Sequence, residues 1–310
     1  MMMVYVWLVV GFVFLIKGAD LFVEGSSSVA KILRVPSVII GLTVVAFGTS
    51  APELAVSVTA ALSHNNGIAV GNVIGSNIFN LLMVTGLSCI VMTLPADKKI
   101  MKGDFPFSIF VAVVLLAGIA FDYHLSRVDG VILLALFGYF LYRTIQAAKD
   151  GRMDEGEEIK TMSPAKSLIF IVGGLVGIVL GGDLVVDSAS SIAAAFGLSQ
   201  NLIGLTIVAM GTSLPELVTS VVASRKGENG LALGNVIGSN IFNILLILGV
   251  SSVLSPIQVT VVSVYDLICL IVFSGVFWIV GKREMRYSRI HGISMVAVYA
   301  AYMIYIILRA

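Results

Sequence analysis

The chain has 310 residues, of which 58% are hydrophobic and only 12% are charged, and its mean hydropathy is +1.04. This composition excludes a water-soluble domain and predicts a protein embedded in a lipid bilayer. The formal net charge of +1 does not by itself indicate a partner, and we expect no binding to nucleic acid.

In chain order, apolar segments long enough to cross a bilayer as helices recur along the whole sequence. The N-terminal segment lacks a basic stretch and a small-residue cleavage site, so we interpret it as the first span and not as a signal peptide. The spans at 4–30 and 167–196 are longer than a bilayer requires, so each must tilt strongly or run partly along an interface. We predict ten spans, at about residues 4–30, 38–62, 68–92, 105–121, 128–142, 167–196, 201–224, 231–255, 263–281 and 290–308.

Lysines and arginines are distributed very unevenly between the two sides of these spans. Sixteen of the 19 lie in loops that follow odd-numbered spans, whereas the opposite side holds only Arg127 and Arg309. By the positive-inside rule, the side with 16 cations is cytoplasmic and both termini face outward. The polar stretch at 149–164 is then a cytoplasmic linker.

An internal repeat runs through the chain at a constant offset of 163 residues. Residues 41–57 (GLTVVAFGTSAPELAVS) nearly match residues 204–220 (GLTIVAMGTSLPELVTS), and GNVIGSNIFN occurs at both 71–80 and 234–243. Because each copy contains five spans, the second must enter the membrane upside down relative to the first. We therefore predict a first repeat at 1–148 with its motif at 41–80, the linker at 149–164, and a second repeat at 165–310 with its motif at 204–243.

Each copy of the longer motif places a proline and a glutamate in the middle of an apolar span: Pro52 with Glu53, and Pro215 with Glu216. An acidic side chain in hydrocarbon is costly and usually functional. A proline in mid-span removes a backbone donor, and a broken helix is tolerated only where it is buried in protein or lines a cavity. The fold class that follows is an all-α integral membrane protein, with ten transmembrane helices in two inverted five-helix repeats and broken helices at the midplane.

The oxygen atoms near these breaks suit a hard cation, since Ca²⁺ takes about six to eight oxygen ligands. One divalent cation, two protons or several monovalent cations would neutralise the two glutamates. Two alternatives stay open: a protonated carboxyl pair kept for packing, or shorter motifs whose glycines (Gly71, Gly75, Gly234 and Gly238) serve only close helix packing. The candidate polar ligands in the two motifs are Thr49, Ser50, Ser76, Asn77 and Asn80, with Thr212, Ser213, Ser239, Asn240 and Asn243.

With two copies of G-T-S-x-P-E and two of G-N-x-I-G-S-N, the chain resembles the cation/Ca²⁺ exchanger superfamily, specifically its prokaryotic sodium/calcium exchanger-like group. The resemblance covers essentially the whole chain. It implies an antiporter that exchanges Ca²⁺ for Na⁺ by alternating access around Glu53 and Glu216, with the two long spans as gating helices. It also implies ligand roles: oxygens of Thr49 and Thr212, at least partly their backbone carbonyls, for Ca²⁺; Asn80 and Asn243 at the central position; and Ser50, Ser213, Ser76, Ser239 and the carbonyls of Ala46 and Ala209 for flanking Na⁺ sites.

One departure bears on the coupling ion. Several members of the superfamily carry an aspartate at one of the positions occupied here by Asn80 and Asn243, so this chain has two acids where theirs have three. Proton/calcium exchangers usually show G-N-x-x-E in place of G-T-S-x-P-E, which favours Na⁺ here. The alternatives are H⁺/Ca²⁺ exchange at the same glutamates and a passive cation channel, although inverted repeats with midplane sites favour a transporter. An intramembrane hydrolase would need a base near Ser50, and no intramembrane His or Lys lies near either motif.

Two further acid pairs are matched by the same offset: Asp20 and Glu24 on the first long span, and Asp183 and Asp187 on the second. Within each pair the acids lie one helical turn apart. They are candidates for ion entry or gating, and the alternative is that they are simply solvated at the interface. We expect a multi-pass protein of the cell membrane that functions as a monomer, with no cofactor beyond the transported Ca²⁺ and Na⁺ (or H⁺).

Overall fold

The computed structural model describes residues 2–63, 66–150, 161–197, 207 and 209–309, and these residues are mostly helical. Two pairs of two-residue antiparallel strands connect loops of the two halves: β1 (Leu94–Pro95) with β4 (Arg286–Tyr287), and β2 (His124–Leu125) with β3 (Ile257–Gln258). The helices are α1 (Met2–Leu33), α2 (Ser37–Thr49), α3 (Ala51–Leu62), α4 (Asn66–Phe79, continued by Asn80–Val84 and Thr85–Val91), α5 (Ile100–Ile119), α6 (Arg127–Asp150), α7 (Pro164–Ala195), α8 (Ala209–Gly211), α9 (Leu214–Arg225), α10 (Asn229–Leu254), α11 (Val261–Glu284) and α12 (Arg289–Arg309).

Eight of the described helices are long and apolar enough to cross a membrane, and α2 with α3 would form a ninth span that is bent by 48°. The predicted span at 201–224 is described only at 207 and from 209 onward, so the count of ten stays a prediction. Helix α6 continues to Asp150, beyond the predicted end at 142. Residues 143–150 are mostly polar, so the hydropathy signal ends before the helix does, and Arg143 forms an ion pair with Asp104 of α5.

The break in the first longer motif falls at Ser50, between α2 and α3. Pro52 lies in the first turn of α3, where its missing N–H has little cost because first-turn donors have no acceptor within the helix. The second motif repeats this arrangement, with Pro215 in the first turn of α9. Each proline therefore begins a helix, and the glutamate after it lies in a first turn, where the helix dipole favours negative charge.

Helices α4 and α10, which carry the shorter motifs, lie at the centre of the molecule. Their apolar stretches are 78% and 83% buried, against 22–39% in the other single-helix spans. Each contains a π-helical turn that begins at the last residue of its motif, Asn80 in α4 and Asn243 in α10. The remaining spans turn much of their apolar surface outward, as expected for helices that face lipid.

The glycines of the second shorter motif do bring helices close together. A Cβ atom built on Gly234 would lie 2.6 Å from the carbonyl oxygen of Val38 in α2, and one built on Gly238 would lie 2.8 Å from that of Leu42. Helices α10 and α2 are therefore in backbone contact. By the offset of 163 residues, the neighbours expected for Gly71 and Gly75 are residues within 201–209. Most of that range lies outside the described residues.

Helices α1 and α7 are each 32 residues long and pack against one another through glycines. A Cβ atom on Gly18 would lie 2.7 Å from the amide nitrogen of Ile178, and one on Gly174 would lie 2.6 Å from that of Phe22. Seven residues from these, Gly11 and Gly25 of α1 and Gly181 of α7 make contacts of the same kind. The two helices expected to gate the protein thus touch backbone to backbone.

Candidate cation site

The two glutamates of the longer motifs meet in the interior of the protein. Glu53 and Glu216 are both 0% exposed. Ser213 Oγ donates to Glu53 Oε1 at 3.0 Å, and Ser50 Oγ donates to Glu216 Oε1 at 2.9 Å. Ser213, three residues before Glu216, thus binds Glu53, and Ser50, three residues before Glu53, binds Glu216. The two helix breaks therefore lie against one another.

The serines of the shorter motifs complete a symmetric arrangement. Ser76 Oγ lies 3.4 Å from Glu53 Oε1, and Ser239 Oγ lies 3.4 Å from Glu216 Oε1. All four serines near the carboxylates are buried. The structure thus brings together Glu53, Glu216, Ser50, Ser213, Ser76 and Ser239, which the sequence analysis had singled out from two motifs in each repeat.

Buried oxygens of motif residues without a donor among the described residues include Glu53 Oε2, Glu216 Oε2, Asn80 Oδ1 and Asn243 Oδ1; Asn240 Oδ1 and the amide nitrogen Asn80 Nδ2 also have no partner there. Asn243 Nδ2 donates to Asn77 Oδ1 at 3.0 Å, which leaves the amide oxygen of Asn243 as the free end of that side chain. A buried polar atom without a partner is costly, and native proteins rarely leave several together. Two carboxylate and two amide oxygens form an all-oxygen set, which is what Ca²⁺ and other hard cations prefer.

The backbone candidates for flanking ligands lie on α2 and α8. The carbonyl of Ala46 accepts the backbone N–H of Ser50 at 3.0 Å and lies 3.5 Å from Thr49 Oγ1, at the end of the hydrogen-bond pattern of α2. Ala209 begins α8 at the equivalent place, and only its backbone is described. The carbonyls after Ala46 belong to the last turn of α2, where a helix supplies no partner of its own.

The family model described as sodium/calcium exchanger protein matches residues 3–146 and 166–308, which is nearly the whole chain. The chain belongs to the sodium/calcium exchanger family. A solved structure of the sodium-calcium exchanger NCX_Mj superimposes on this member with a TM-score of 0.85 and 34% sequence identity, over 97% of this chain and 98% of the other.

Two relatives of this exchanger-family chain support the same assignment. It is 41% identical over 263 residues to the putative antiporter CaxA of Alkalimonas amylolytica, covering 83% of this chain and 82% of that one. It is 32% identical over 338 residues to the sodium/calcium exchanger MaX1 of Methanosarcina acetivorans, covering 96% of each. The family resemblance read from the motifs is therefore confirmed.

Two asparagines of this exchanger-family site were missed by sequence reasoning. Asn72 Nδ2 donates to Ser57 Oγ at 3.0 Å and to the carbonyl of Glu53 at 3.3 Å. Asn235 Nδ2 donates to Ser220 Oγ at 2.9 Å and to the carbonyl of Glu216 at 3.4 Å. Both asparagines occupy the second position of the repeated GNVIGSNIFN, so the repeat itself was the available signal.

These asparagines also bind the predicted threonines across the two repeats. Thr49 Oγ1 donates to Asn235 Oδ1 at 3.0 Å, and Thr212 Oγ1 donates to Asn72 Oδ1 at 3.3 Å. The threonine hydroxyls therefore point toward asparagines of the opposite repeat.

A second pair of asparagines fastens the central helices to one another. Asn77 Nδ2 donates to the carbonyl of Asn240 at 3.1 Å, and Asn240 Nδ2 donates to the carbonyl of Asn77 at 3.2 Å. These reciprocal bonds cross between α4 and α10 at equivalent residues. The equivalence of the two repeats, expected from the sequence, is thus visible in side-chain geometry.

Among the described residues, Lys226 lies beside both acids of the pair on α1, although Glu24 is also largely exposed. Lys226 Nζ lies 3.4 Å from Asp20 Oδ1 and 3.9 Å from Glu24 Oε2, and it also donates to the Asp20 carbonyl at 3.0 Å. Next to it, Ser27 Oγ donates to Glu228 Oε1, which lies 4.0 Å from Lys31 Nζ. We call Asp20, Glu24, Ser27, Lys226 and Glu228 the α1 latch, because they join α1 to the loop between α9 and α10.

The equivalent acids on α7, Asp183 and Asp187, have a different setting. They line a cavity of about 570 Å³ that also reaches Thr212 and both prolines of the breaks, Pro52 and Pro215. This cavity lies between α7 and the first turns of α3 and α9. Carboxylates at such a place would attract cations toward the breaks.

Proposed function

We propose that this member of the sodium/calcium exchanger family is a secondary antiporter that exchanges Ca²⁺ for Na⁺ across the membrane by alternating access. The observation that carries the proposal is the set of four buried oxygens without donors, on Glu53, Glu216, Asn80 and Asn243. The related proteins MaX1 and NCX_Mj, which are sodium/calcium exchangers, support the same substrates.

In this mechanism the two carboxylates bind Ca²⁺ together, since their combined charge matches that of a divalent cation. Asn80 and Asn243 add amide oxygens, and Thr49 and Thr212 add backbone carbonyls from the ends of α2 and α8. Na⁺ occupies flanking positions near Ser50, Ser76 and Ala46, and near Ser213, Ser239 and Ala209. Competition between the two kinds of ion for the same carboxylates couples their movement in opposite directions.

The first test is radiolabelled Ca²⁺ uptake into proteoliposomes loaded with Na⁺, with K⁺-loaded vesicles and a proton gradient as controls. We expect uptake that requires an outward Na⁺ gradient. Uptake driven only by protons would replace Na⁺ by H⁺ as the coupling ion, a possibility that the pair of asparagines at 80 and 243 keeps open. Uptake indifferent to both gradients would indicate a passive channel and overturn the proposal.

The membrane arrangement is proposed on the distribution of charge. The two repeats, 1–148 and 165–310, are inverted relative to one another, with both termini outside the cell and the linker at 149–164 in the cytoplasm. The excess of lysine and arginine on the linker side supports this orientation in a cell membrane. Because all the proposed ligands come from one chain, the protein is expected to work as a monomer in the lipid bilayer.

The two acid pairs then belong to the two faces of the proposed transport path. Lys226 lies in a predicted cytoplasmic loop, so we assign the α1 latch to the inner face and the cavity at Asp183 and Asp187 to the outer face. The latch would keep the inner face closed while ions enter from outside. Acids at the outer cavity would recruit cations to the breaks.

Replacing Lys226 by Ala should raise the external Ca²⁺ concentration that gives half-maximal transport by up to about fivefold. A partly exposed ion pair contributes about 0.2–1 kcal/mol, and its loss would lower the population of the state that is closed inside and open outside. The measurement is Ca²⁺ transport in right-side-out vesicles. Lys282→Ala is the matched control, because Lys282 stacks on Trp278 at the periphery. An unchanged half-saturating concentration at both faces would contradict the latch.

A further inference from the structure

Asn72 and Asn235 each connect three helices at the site. Asn235 stands on α10, donates to Ser220 Oγ and the Glu216 carbonyl of α9, and accepts from Thr49 Oγ1 of α2. Asn72 repeats this on α4, with Ser57, the Glu53 carbonyl and Thr212. Thr49, Glu216, Ser220 and Asn235 are fully buried, so the bonds of Asn235 are shielded from water, whereas Asn72 and Thr212 are partly exposed.

The geometry separates the two oxygens of each threonine. The single hydroxyl proton of Thr49 is used within the protein, toward Asn235 Oδ1 at 3.0 Å or the Val45 carbonyl at 3.1 Å. Its carbonyl belongs to the last turn of α2, and the backbone pattern of α3 starts one residue later, with Leu54 N–H donating to the Ser50 carbonyl at 3.1 Å. The Thr49 carbonyl is therefore left outside the hydrogen-bond patterns of both helices.

We infer that Asn72 and Asn235 are positioning residues for the ion site, each holding the threonine of the opposite repeat by its hydroxyl so that the threonine carbonyl, and not the hydroxyl, serves the ion. The same amide holds the backbone of the glutamate in its own repeat. One asparagine thereby fixes the distance between a carboxylate from one repeat and a carbonyl from the other. Groups that orient ligands in this way typically change metal affinity or activity by about 10–100-fold when removed.

The inference rests on the proposed Ca²⁺/Na⁺ exchange, and a double-mutant cycle tests it separately. Asn235→Ala and Thr49→Val should each raise the half-saturating Ca²⁺ concentration by about tenfold, with a smaller change in maximal rate. The double variant should be hardly worse than Asn235→Ala alone, because Thr49→Val removes a hydrogen bond that Asn235→Ala has already removed. Thr49→Ser keeps the hydroxyl and should restore near-normal affinity.

The chain provides two matched controls. The first control is the double variant Thr49→Val with Asn72→Ala. These two residues do not bind each other in the structure, so their separate effects on the half-saturating Ca²⁺ concentration should multiply. Ser251→Ala removes a buried hydroxyl from the same helix α10, eight residues beyond Asn243, and should leave affinity unchanged. Thermal unfolding of each variant without added Ca²⁺ separates a loss of affinity from a loss of fold.

Multiplying effects of Asn235→Ala and Thr49→Val would overturn the inference, since the threonine hydroxyl would then act on the ion independently of the asparagine. The inference would also be overturned if Thr49→Ser did not restore the affinity for Ca²⁺ and Asn235→Ala had no effect on it. If the unmodified protein shows no exchange, the proposed function fails first. The same cycle is then read from the shift in unfolding temperature on adding Ca²⁺ or Na⁺, which requires only binding.

Discussion

Replacing Glu53 by Gln should abolish Ca²⁺ exchange or reduce it at least a hundredfold while the protein still folds. The substitution keeps the shape of the side chain and its place near Ser213, but it leaves one carboxylate to face a divalent ion. An uncompensated charge near the centre of a membrane costs about 2.5–3.5 kcal/mol or more, which corresponds to a factor of about a hundred in binding. Glu216→Gln should behave alike, because the two glutamates have equivalent partners. The measurement is Na⁺-driven Ca²⁺ uptake in proteoliposomes.

The matched control for both variants is Glu284→Gln, which neutralises a half-exposed glutamate at the end of α11. That variant should transport normally. Monodisperse elution and an unchanged unfolding temperature in the absence of ions would establish that Glu53→Gln is folded. Near-normal exchange in both site variants would remove the two carboxylates from the mechanism.

Replacing Gly174 by Leu should unfold the protein or lower its free energy of unfolding by more than about 3 kcal/mol. Inserting bulk into a packed interior usually costs about 1–3 kcal/mol, and here the atoms in the way are backbone atoms that cannot rotate aside. The amide nitrogen of Phe22 would lie 2.6 Å from the new Cβ, and the carbonyl of Gly18 would lie 2.7 Å from it. Helices α1 and α7 would have to separate. Thermal unfolding in detergent and uptake in proteoliposomes measure the effect.

The neighbouring residue provides the control for this prediction. Gly173 is exposed, and a Cβ built there meets no described atom within 4 Å. Gly173→Leu should therefore change the free energy of unfolding by less than about 0.5 kcal/mol. Equal destabilisation by both substitutions would mean that loss of glycine flexibility, and not the contact between α1 and α7, is responsible.

Much of the site was predictable because its signals lie along the chain. Hydropathy located the spans, and the constant offset identified Glu53 and Glu216 as equivalent residues before any contact was known. The motifs themselves pointed to the serines, and the resemblance added their expected ligand roles. The structure adds that Ser50 binds Glu216 and Ser213 binds Glu53, so each carboxylate depends on the opposite repeat. Equivalence in sequence does not reveal such crossing, because a serine next to its own glutamate is an equally good guess.

Other features could not be predicted because their partners are far apart in sequence or lack an apolar signal. Asp20 and Lys226 are separated by 206 residues, whereas the partner that the sequence suggests for Asp20 is Lys17, three residues away. Asn72 has no chemical mark that distinguishes it from a packing residue until Thr212 is placed beside it. Helix α6 extends past its predicted end because polar residues continue a helix without contributing to hydropathy.

The α1 latch has an energetic consequence for a protein built from two inverted halves. If the halves were identical, the state closed inside and the state closed outside would have the same free energy by symmetry. The offset of 163 places Ser63 opposite Lys226 and Asn65 opposite Glu228, so the sequence carries charges at this position in one half only. If the latch closes the inner face as proposed, it tilts the ion-free equilibrium toward the state in which it is formed. The two half-cycles of exchange must then differ in the work they require, even though the ions meet a nearly symmetric site.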